Sequence, residues 1–441
     1  MVYDMVIEGH AVDALTDWGY IRIGIRDGVI DTISNGVPIE GKEHIVVPRE
    51  NIIVPGLINT HCHMREPGYT EAEDFESYGR VAAAGGITTS FDQTNNPGCP
   101  TITLERMEEK RRLSLAKAPH MDIRFWAGVR FEPSLNLEQL EMMLELAYVV
   151  GAKSFWCRST GGIYQPNSTR RYVQQDELYE FMSEWGQGKP VSNHCENEEM
   201  NLEGEERLKG AGRDDPTAVP DSRPGYGEEL EADSALVFGI QYDVPVVICH
   251  ASTRGTIDTF DDYISPMVMM EFTPHHYMFS REDMESPMLK MYPPLRPERD
   301  RDAVRARLAK GKNVTIGTDH APHPVARKKG NIWEAAAGIP NDEHMGAFVG
   351  HLIRNGMDAG TAARVSSYNA AQFFGMEDRG LIEEGMRADL VVLDMDNGET
   401  IGPPYFTKCG WSPYEGMDFG ARVTHTIAKG KLVLEDGELR I

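Results

Sequence analysis

The chain has 441 residues, in which 69 Asp and Glu outweigh 44 Lys and Arg to give a formal net charge of −25. Such a charge repels polyanions and excludes a nucleic-acid partner unless a basic stripe offsets it, and the densest basic runs are only RRL from Arg111 and RKK at 327–329. With 41% hydrophobic and 26% charged residues the composition is that of a folded globular protein, and no apolar run approaches the roughly 20 residues that span a bilayer.

The first segment, MVYDMVIEGH, has no basic leader and breaks its apolar stretch with Asp4 and Glu8, so it predicts no secretory signal and a cytoplasmic location. Six cysteines without a CxxC pair exclude a disulfide scaffold and a structural zinc knuckle. Residues 1–54 alternate apolar and polar positions in short runs (YDMVIEG, YIRIGIRDG) parted by Gly, Asp and Asn, which predicts a small β module. From 55 to 375, apolar runs alternate with longer amphipathic stretches, as in GITTSFD before LERMEEKRRLSLAK and VPVVICH before TRGTIDTFDDYI. That alternation predicts a (β/α) barrel. Residues 376–441 return to β texture (ADLVVLD, VTHTIAKGKLVLEDGELRI), so the two chain ends are expected to form one joint β module.

Chemistry concentrates at predicted strand ends. HCHMREPG follows the apolar run IIVPGLINT, and two His at i and i+2 of a strand face the same way, so His61 and His63 can bind one metal. His194 ends KPVSNH, His250 ends VPVVICH and Asp319 ends VTIGTD. Each would project from the C-terminal rim of a barrel, where catalytic residues lie. Four His and one Asp gathered there predict a metal site.

The ordered set PGLINTHCHMREPG, GGITTSFDQTNNP, SNHCEN, VVICHAS, EFTPHHY, PPLR, TIGTDHAPH and NAAQFFGM…GLIEEGMRADLVVLD resembles the cyclic amidohydrolases, the group of dihydroorotase, allantoinase and dihydropyrimidinase or hydantoinase. The likeness spans essentially the whole chain and implies a TIM-type (β/α)8 barrel with a composite β-sandwich. It also implies hydrolysis of a cyclic amide, ureide or imide by metal-activated water, with Asp319 passing the proton to the leaving nitrogen. Neutral imidazoles and carboxylates suit Zn²⁺, with Mn²⁺, Co²⁺ or Fe²⁺ as alternatives, at one or two ions per chain.

One departure bears on the metal count. Family members with two ions bridge them with a carboxylated Lys in a segment like SFK, whereas GAKSFWCRSTGG places Trp156 there. Either Cys157 serves as ligand or bridge, or Lys153 is recruited although it lies on the opposite strand face, or one ion is held by His61, His63 and Asp319 while His194 and His250 form a weaker site or bind substrate. Trp156 would then fill the space of the lost bridge.

For the substrate, Arg65 resembles the dihydroorotase Arg that grips a carboxylate, Asn95 or Asn96 falls in the substrate-contact region, and His323 matches a second carboxylate partner. Tyr292, in MYPPLR, replaces the usual Asn and would reshape the pocket. Alternatively, Arg65 pairs with Glu66 or Glu71 and Tyr292 is packing. The stretch SRPGYGEELEAD (222–233) resembles a loop whose Gly and Pro suit a mobile connection, in which Glu231 is structural, and the aromatic tail PPYFTKCGWSPYEGMDF resembles one used in subunit packing, with core packing an equal explanation of its composition. The expectation is a small-molecule hydrolase, dihydroorotase-like ahead of hydantoinase or allantoinase activity on a neutral ring, forming a homodimer or homotetramer without membrane contact. The rival is a non-catalytic scaffold of the dihydropyrimidinase kind.

Overall fold

In the computed structural model, which describes residues 2–158, 170–398 and 400–441, the alternating positions of the first segment become strands β1 (Val2–Val12), β2 (Asp17–Arg26), β3 (Val29–Ser34), β4 (Glu40–Val46) and β5 (Ile52–Pro55). Their inward residues Met5, Ile7, Ile21, Ile23 and Ile25 form one core with Leu390, Val392 and Ile427 from the far end of the chain.

Eight short strands follow: β6 (Leu57–Cys62), β7 (Ile87–Asp92), β8 (Asp122–Gly128), β9 (Val149–Phe155), β10 (Val191–His194), β11 (Val246–Ile248), β12 (Val268–Phe272) and β13 (Val314–Ile316). They pair in parallel in sequence order, and a bridge between Cys62 and His320 closes the ring. Nearly every residue in them is buried on both faces, because helices cover the outside and side chains fill the inside, so the strands read as apolar runs. Helices between them include α1 (Phe75–Ala84), α2 (Leu104–Lys117), α3 (Leu137–Leu144), α4 (Arg171–Trp185), α5 (Glu198–Gly210), α6 (Ala218–Ser222) and α7 (Gly225–Tyr242). Asp74 caps α1 with a reciprocal box to Ser77, satisfying amides that the helix start leaves open.

Strands β14 (Leu390–Asp394), β15 (Arg422–Ala428), β16 (Lys431–Glu435) and β17 (Glu438–Leu439) then join β5 antiparallel, so nine strands from both chain ends make the second sheet. At the end of the barrel away from the strand C-termini, Ala370, Ala371, Phe374 and Met376 pack on Ile58, Phe91 and Trp126 and plug the interior.

One expectation is corrected. Residues 225–233 of the supposed mobile connection are the first half of α7, since Pro224 with φ −66° sits at a position where its missing N–H costs nothing. Within the RKK run Arg327 and Lys329 are exposed, whereas Lys328 is fully buried and donates to the carbonyls of Lys290, Ala336 and Gly338. Part of the aromatic tail packs on its own barrel, with Trp411 and Tyr414 buried and Phe406 exposed.

Candidate active site

Strand β6 delivers His61 and His63 to one side, while Cys62 between them turns its thiol to the Phe91 carbonyl at 3.3 Å. The loop after β13 returns to the same edge: the Asp319 amide donates to the His61 carbonyl (3.0 Å) and the His63 amide to that of His320 (2.8 Å). Asp319 Oδ1 thereby lies 3.0 Å from His63 Nε2 and 3.4 Å from His61 Nε2. Burial opposes charge on His61, yet Glu271 and Asp319 raise it to about 10; burial depresses His63 to about 3. Although burial favours the neutral acid, the same two imidazoles hold Asp319 well below the carboxylate range. Arg65, His250 and Asp319 all have positive φ (62°, 35° and 49°), a conformation that costs a non-glycine residue about 1 kcal/mol or more and gathers at functional sites.

His194 at the end of β10 and His250 after β11 complete the cluster, with His194 Nδ1 and His250 Nε2 facing each other at 2.9 Å. Burial first, then the neighbouring His194, keeps His250 well below its usual value and neutral. Two carboxylates that the sequence reading left without a role fix ring orientations. Glu271 Oε2 meets His61 Nδ1 at 2.9 Å and Glu196 Oε2 meets His194 Nε2 at 2.9 Å, the outer support that ligating imidazoles use. Glu271 carried a signal: it is a lone acid inside the apolar strand VMMEF.

The β9 assignments need a second correction. Trp156 does not fill a space among the metal-type ligands: its indole donates to Asn193 Oδ1 (3.0 Å) and its ring lies against Tyr172 and Phe238, between strands and helices. The inward face instead carries Lys153, whose Nζ is 2.8 Å from Cys249 Sγ, and Phe155, whose ring lies 5.7 Å from His194. Cys157 Sγ groups with His194 and Glu196, but burial and then Glu196 push its thiol well above the ordinary range. The last residues of that segment, 159–162, lie outside the described residues.

A cavity of about 300 Å³ opens over these groups, lined by His61, His63, Asn95, Phe155, His194, His250, Tyr292 and Asp319, with Arg65 at one end beside Ala321, Ala337 and Gly338. Arg65 is buried, and burial lowers it to about 10. Glu66 is taken by Lys117 and by the Phe75 amide, and among the described residues no carboxylate lies within ion-pair distance of Arg65. Its Nη2 is 3.3 Å from His323 Nε2, which also meets the Ala337 carbonyl at 3.0 Å. Asn95 borders the cavity, whereas Asn96 donates to the Pro67 carbonyl (3.0 Å) and shapes the loop. Tyr292 borders the cavity and stacks on Arg223. Glu231 accepts from Asn197 (2.6 Å) and pairs with Arg171 (3.0 Å).

The donor set fits a divalent ion. The donor atoms of His61, His63 and Asp319 lie within 4.8 Å of one another in a buried pocket, and His63 Nδ1 has no hydrogen-bond partner there. Ionised Asp319 and neutral His63 are already in the forms that bind such ions, and His61, protonated between Glu271 and Asp319, would release its proton as the ion binds.

Comparison with known proteins agrees with this geometry. The profile described as the amidohydrolase family matches residues 52–433. The dihydroorotase of Methanothermobacter thermautotrophicus is 31% identical over 446 residues, covering 99% of this chain and 96% of the relative. That of Pyrococcus abyssi is 32% identical over 421 residues, covering 95% and 92%. Among solved structures, the L-hydantoinase (dihydropyrimidinase) of Arthrobacter aurescens superposes with a TM-score of 0.92 at 24% identity, over 100% of this chain and 98% of that one. A D-hydantoinase from Thermus sp. gives 0.87 at 22% identity, over 99% and 96%. These two likenesses speak for the fold, and with the match across residues 52–433 the chain belongs to the amidohydrolase family.

Proposed function

We propose that this protein is a metal-dependent hydrolase that opens a cyclic amide, and that its substrate is a ring bearing a carboxylate, as in dihydroorotate. The observation that carries the reading is Arg65: a buried guanidinium without a carboxylate partner among the described residues, at one end of the cavity whose floor holds His61, His63 and Asp319. A buried guanidinium without such a counter-charge, held by the Pro322 carbonyl and His323, matches a small carboxylate, which would add charge-assisted hydrogen bonds on its remaining N–H groups.

His61, His63 and Asp319 would hold one divalent ion, Zn²⁺ by donor type, with Mn²⁺, Co²⁺ or Fe²⁺ as alternatives. His194 and His250 would form a weaker second site or contact substrate. When bound, the ion polarises the amide carbonyl and lowers the pKa of water. Asp319 takes the proton of the attacking water on its carboxylate and delivers it to the ring nitrogen as the C–N bond breaks. Arg65 orients the ring, Asn95 and Tyr292 bound its other faces, and Phe155 with the alanine wall keeps bulk water away. His323 supports Arg65 from behind. Cys157 remains a candidate ligand beside His194, tested by the metal content of Cys157→Ser: a clear drop assigns the thiol, an unchanged count removes it.

Assembly into a homodimer or homotetramer belongs to the same reading and is supported by Tyr226, Leu230, Val237 and Ile240, apolar residues exposed along α7. Light scattering tests it. All six cysteines are free, which suits a reducing cytoplasm. No described helix is long and apolar enough to cross a membrane.

The experiment is ring opening by metal-loaded protein across dihydroorotate, allantoin, dihydrouracil, hydantoin, succinimide and small lactams. Turnover of dihydroorotate above all others is expected. Preference for a neutral ring would replace the carboxylate reading with a hydantoinase-like one. Metal below about 0.2 per chain that Zn²⁺ and Mn²⁺ do not restore, with no turnover, would leave the scaffold alternative.

A further inference from the structure

The tail that the sequence marks as an interface segment lies against the cavity's anion end without entering it. Its indole Trp411 Nε1–H donates to the carbonyl of His323 at 2.8 Å, and the ring is almost wholly buried. His323 is the centre of that end. Its Nδ1 faces the Tyr69 hydroxyl at 3.3 Å, its Nε2 faces Arg65 Nη2 at 3.3 Å, and Arg65 Nε also reaches the Pro322 carbonyl at 3.4 Å. The backbone on which Arg65 leans is therefore the stretch whose only tail-derived hydrogen bond, among the described residues, comes from Trp411.

The tail is tied down independently on both sides of Trp411. Thr407 Oγ1 donates to Glu73 Oε2 (2.6 Å), the Phe406 amide donates to Glu343 Oε2 (3.0 Å), and the Tyr414 hydroxyl donates to Asn341 Oδ1 (2.7 Å). Asn341 in turn donates to the Thr318 carbonyl at 2.8 Å, next to Asp319. A rigid strap so anchored can transmit position: it touches the loop of β6 through Glu73 and the loop of β13 through His323 and Asn341, and Arg65, carried by the first of these loops, reaches the second at Pro322 and His323.

We propose that Trp411 is a positioning residue for substrate recognition, which fixes the His323 backbone so that Arg65 meets the substrate's carboxylate in register with Asp319. The proposal rests on the carboxylate reading of Arg65. A merely structural Trp411 would support every ligand alike; a positioning Trp411 affects only ligands that use Arg65.

Trp411→Phe keeps an aromatic ring and removes the N–H. In the metal-loaded full chain, KM for dihydroorotate should rise about three- to tenfold, the size of one lost neutral hydrogen bond, with kcat changed less than twofold. The affinity of dihydrouracil, measured as a competing ligand of the same ring without the carboxylate, should stay within twofold, and the melting temperature within a few degrees. Equal weakening of both ligands, or no change in either, overturns the proposal. Amide hydrogen exchange separates its failure from that of the functional reading. If wild-type protein neither binds nor opens dihydroorotate, the carboxylate reading fails, while faster exchange confined to residues 320–338 in Trp411→Phe still upholds the positioning contact. Unchanged exchange there overturns it whatever the substrate.

Discussion

Arg223 lies flat on Tyr292, its guanidinium carbon 3.8 Å from the ring centroid, while its Nε and Nη2 grip the two oxygens of Glu196 at 2.8 and 2.7 Å. Through Glu196 it sets the ring of His194, so a cavity wall and a metal-type ligand share one support. Arg223→Met should lower affinity for a divalent ion at the His194 side by about 10- to 100-fold, the usual effect of losing an outer partner. Metal retention against a graded chelator measures it, and Glu196→Gln should fall between wild type and Arg223→Met.

Asp319→Asn keeps the shape of the carboxylate and removes its basicity. Ring opening should slow by about 10²- to 10⁴-fold, as expected for loss of a general base. Single-turnover rates read it, with metal content determined on the same sample so that a lost ion is not mistaken for a lost base.

Arg65→Met and Arg65→Lys separate charge from geometry. Losing charge-assisted hydrogen bonds of about 1.5–3 kcal/mol should raise KM for dihydroorotate by about 10- to 150-fold, with little change for dihydrouracil. Lys should recover only part, because a point charge cannot reproduce the fork. Steady-state kinetics on both substrates decides between this and a purely structural Arg65.

The pH dependence of stability should carry the mark of Glu231. Burial raises its carboxyl to about 7, against opposition from Arg171, so between about pH 4.5 and 7 the folded chain holds a proton that the unfolded chain has released. The folded state then binds more protons, and stability falls as pH rises through that window. Melting curves from pH 5 to 8 should slope less in Glu231→Gln, which stays neutral throughout.

Behind the loop that carries Arg65, Lys110 and Asp92 form a fully buried pair at 2.5 Å, and Asp92 also accepts from the Met64 amide at 3.0 Å. Lys110→Met strands the carboxylate and should cost about 3–5 kcal/mol in urea unfolding. Adding Asp92→Leu should return part of that loss.

What the sequence displays follows the range of the force involved. His61, His63, His194, His250 and Asp319 were legible because each ends an apolar run, and the run itself reports a strand. Trp156 was misread for a local reason: a strand alternates faces every residue, and no pattern in VVGAKSF says which parity faces inward when both faces are buried. The burial of Lys328 was not legible because its three partners are carbonyls, which no residue type announces. The Trp411 contact with His323 spans 88 positions, and Arg223 was passed over in favour of its neighbours because its meaning lies in Glu196 and Tyr292, both distant in the chain. Aromatic content alone left the tail equally open to packing on a second copy.

The seam between β6 and the loop after β13, where the Asp319 amide meets the His61 carbonyl, joins residues 258 positions apart in the order of synthesis (319 − 61). A growing chain therefore has no complete three-ligand pocket until its eighth barrel strand has docked against its first. Ion capture at that trio is a late event in the life of each molecule, and an ion loaded there would act as a clasp on the closed ring, favouring folded over unfolded chain by mass action.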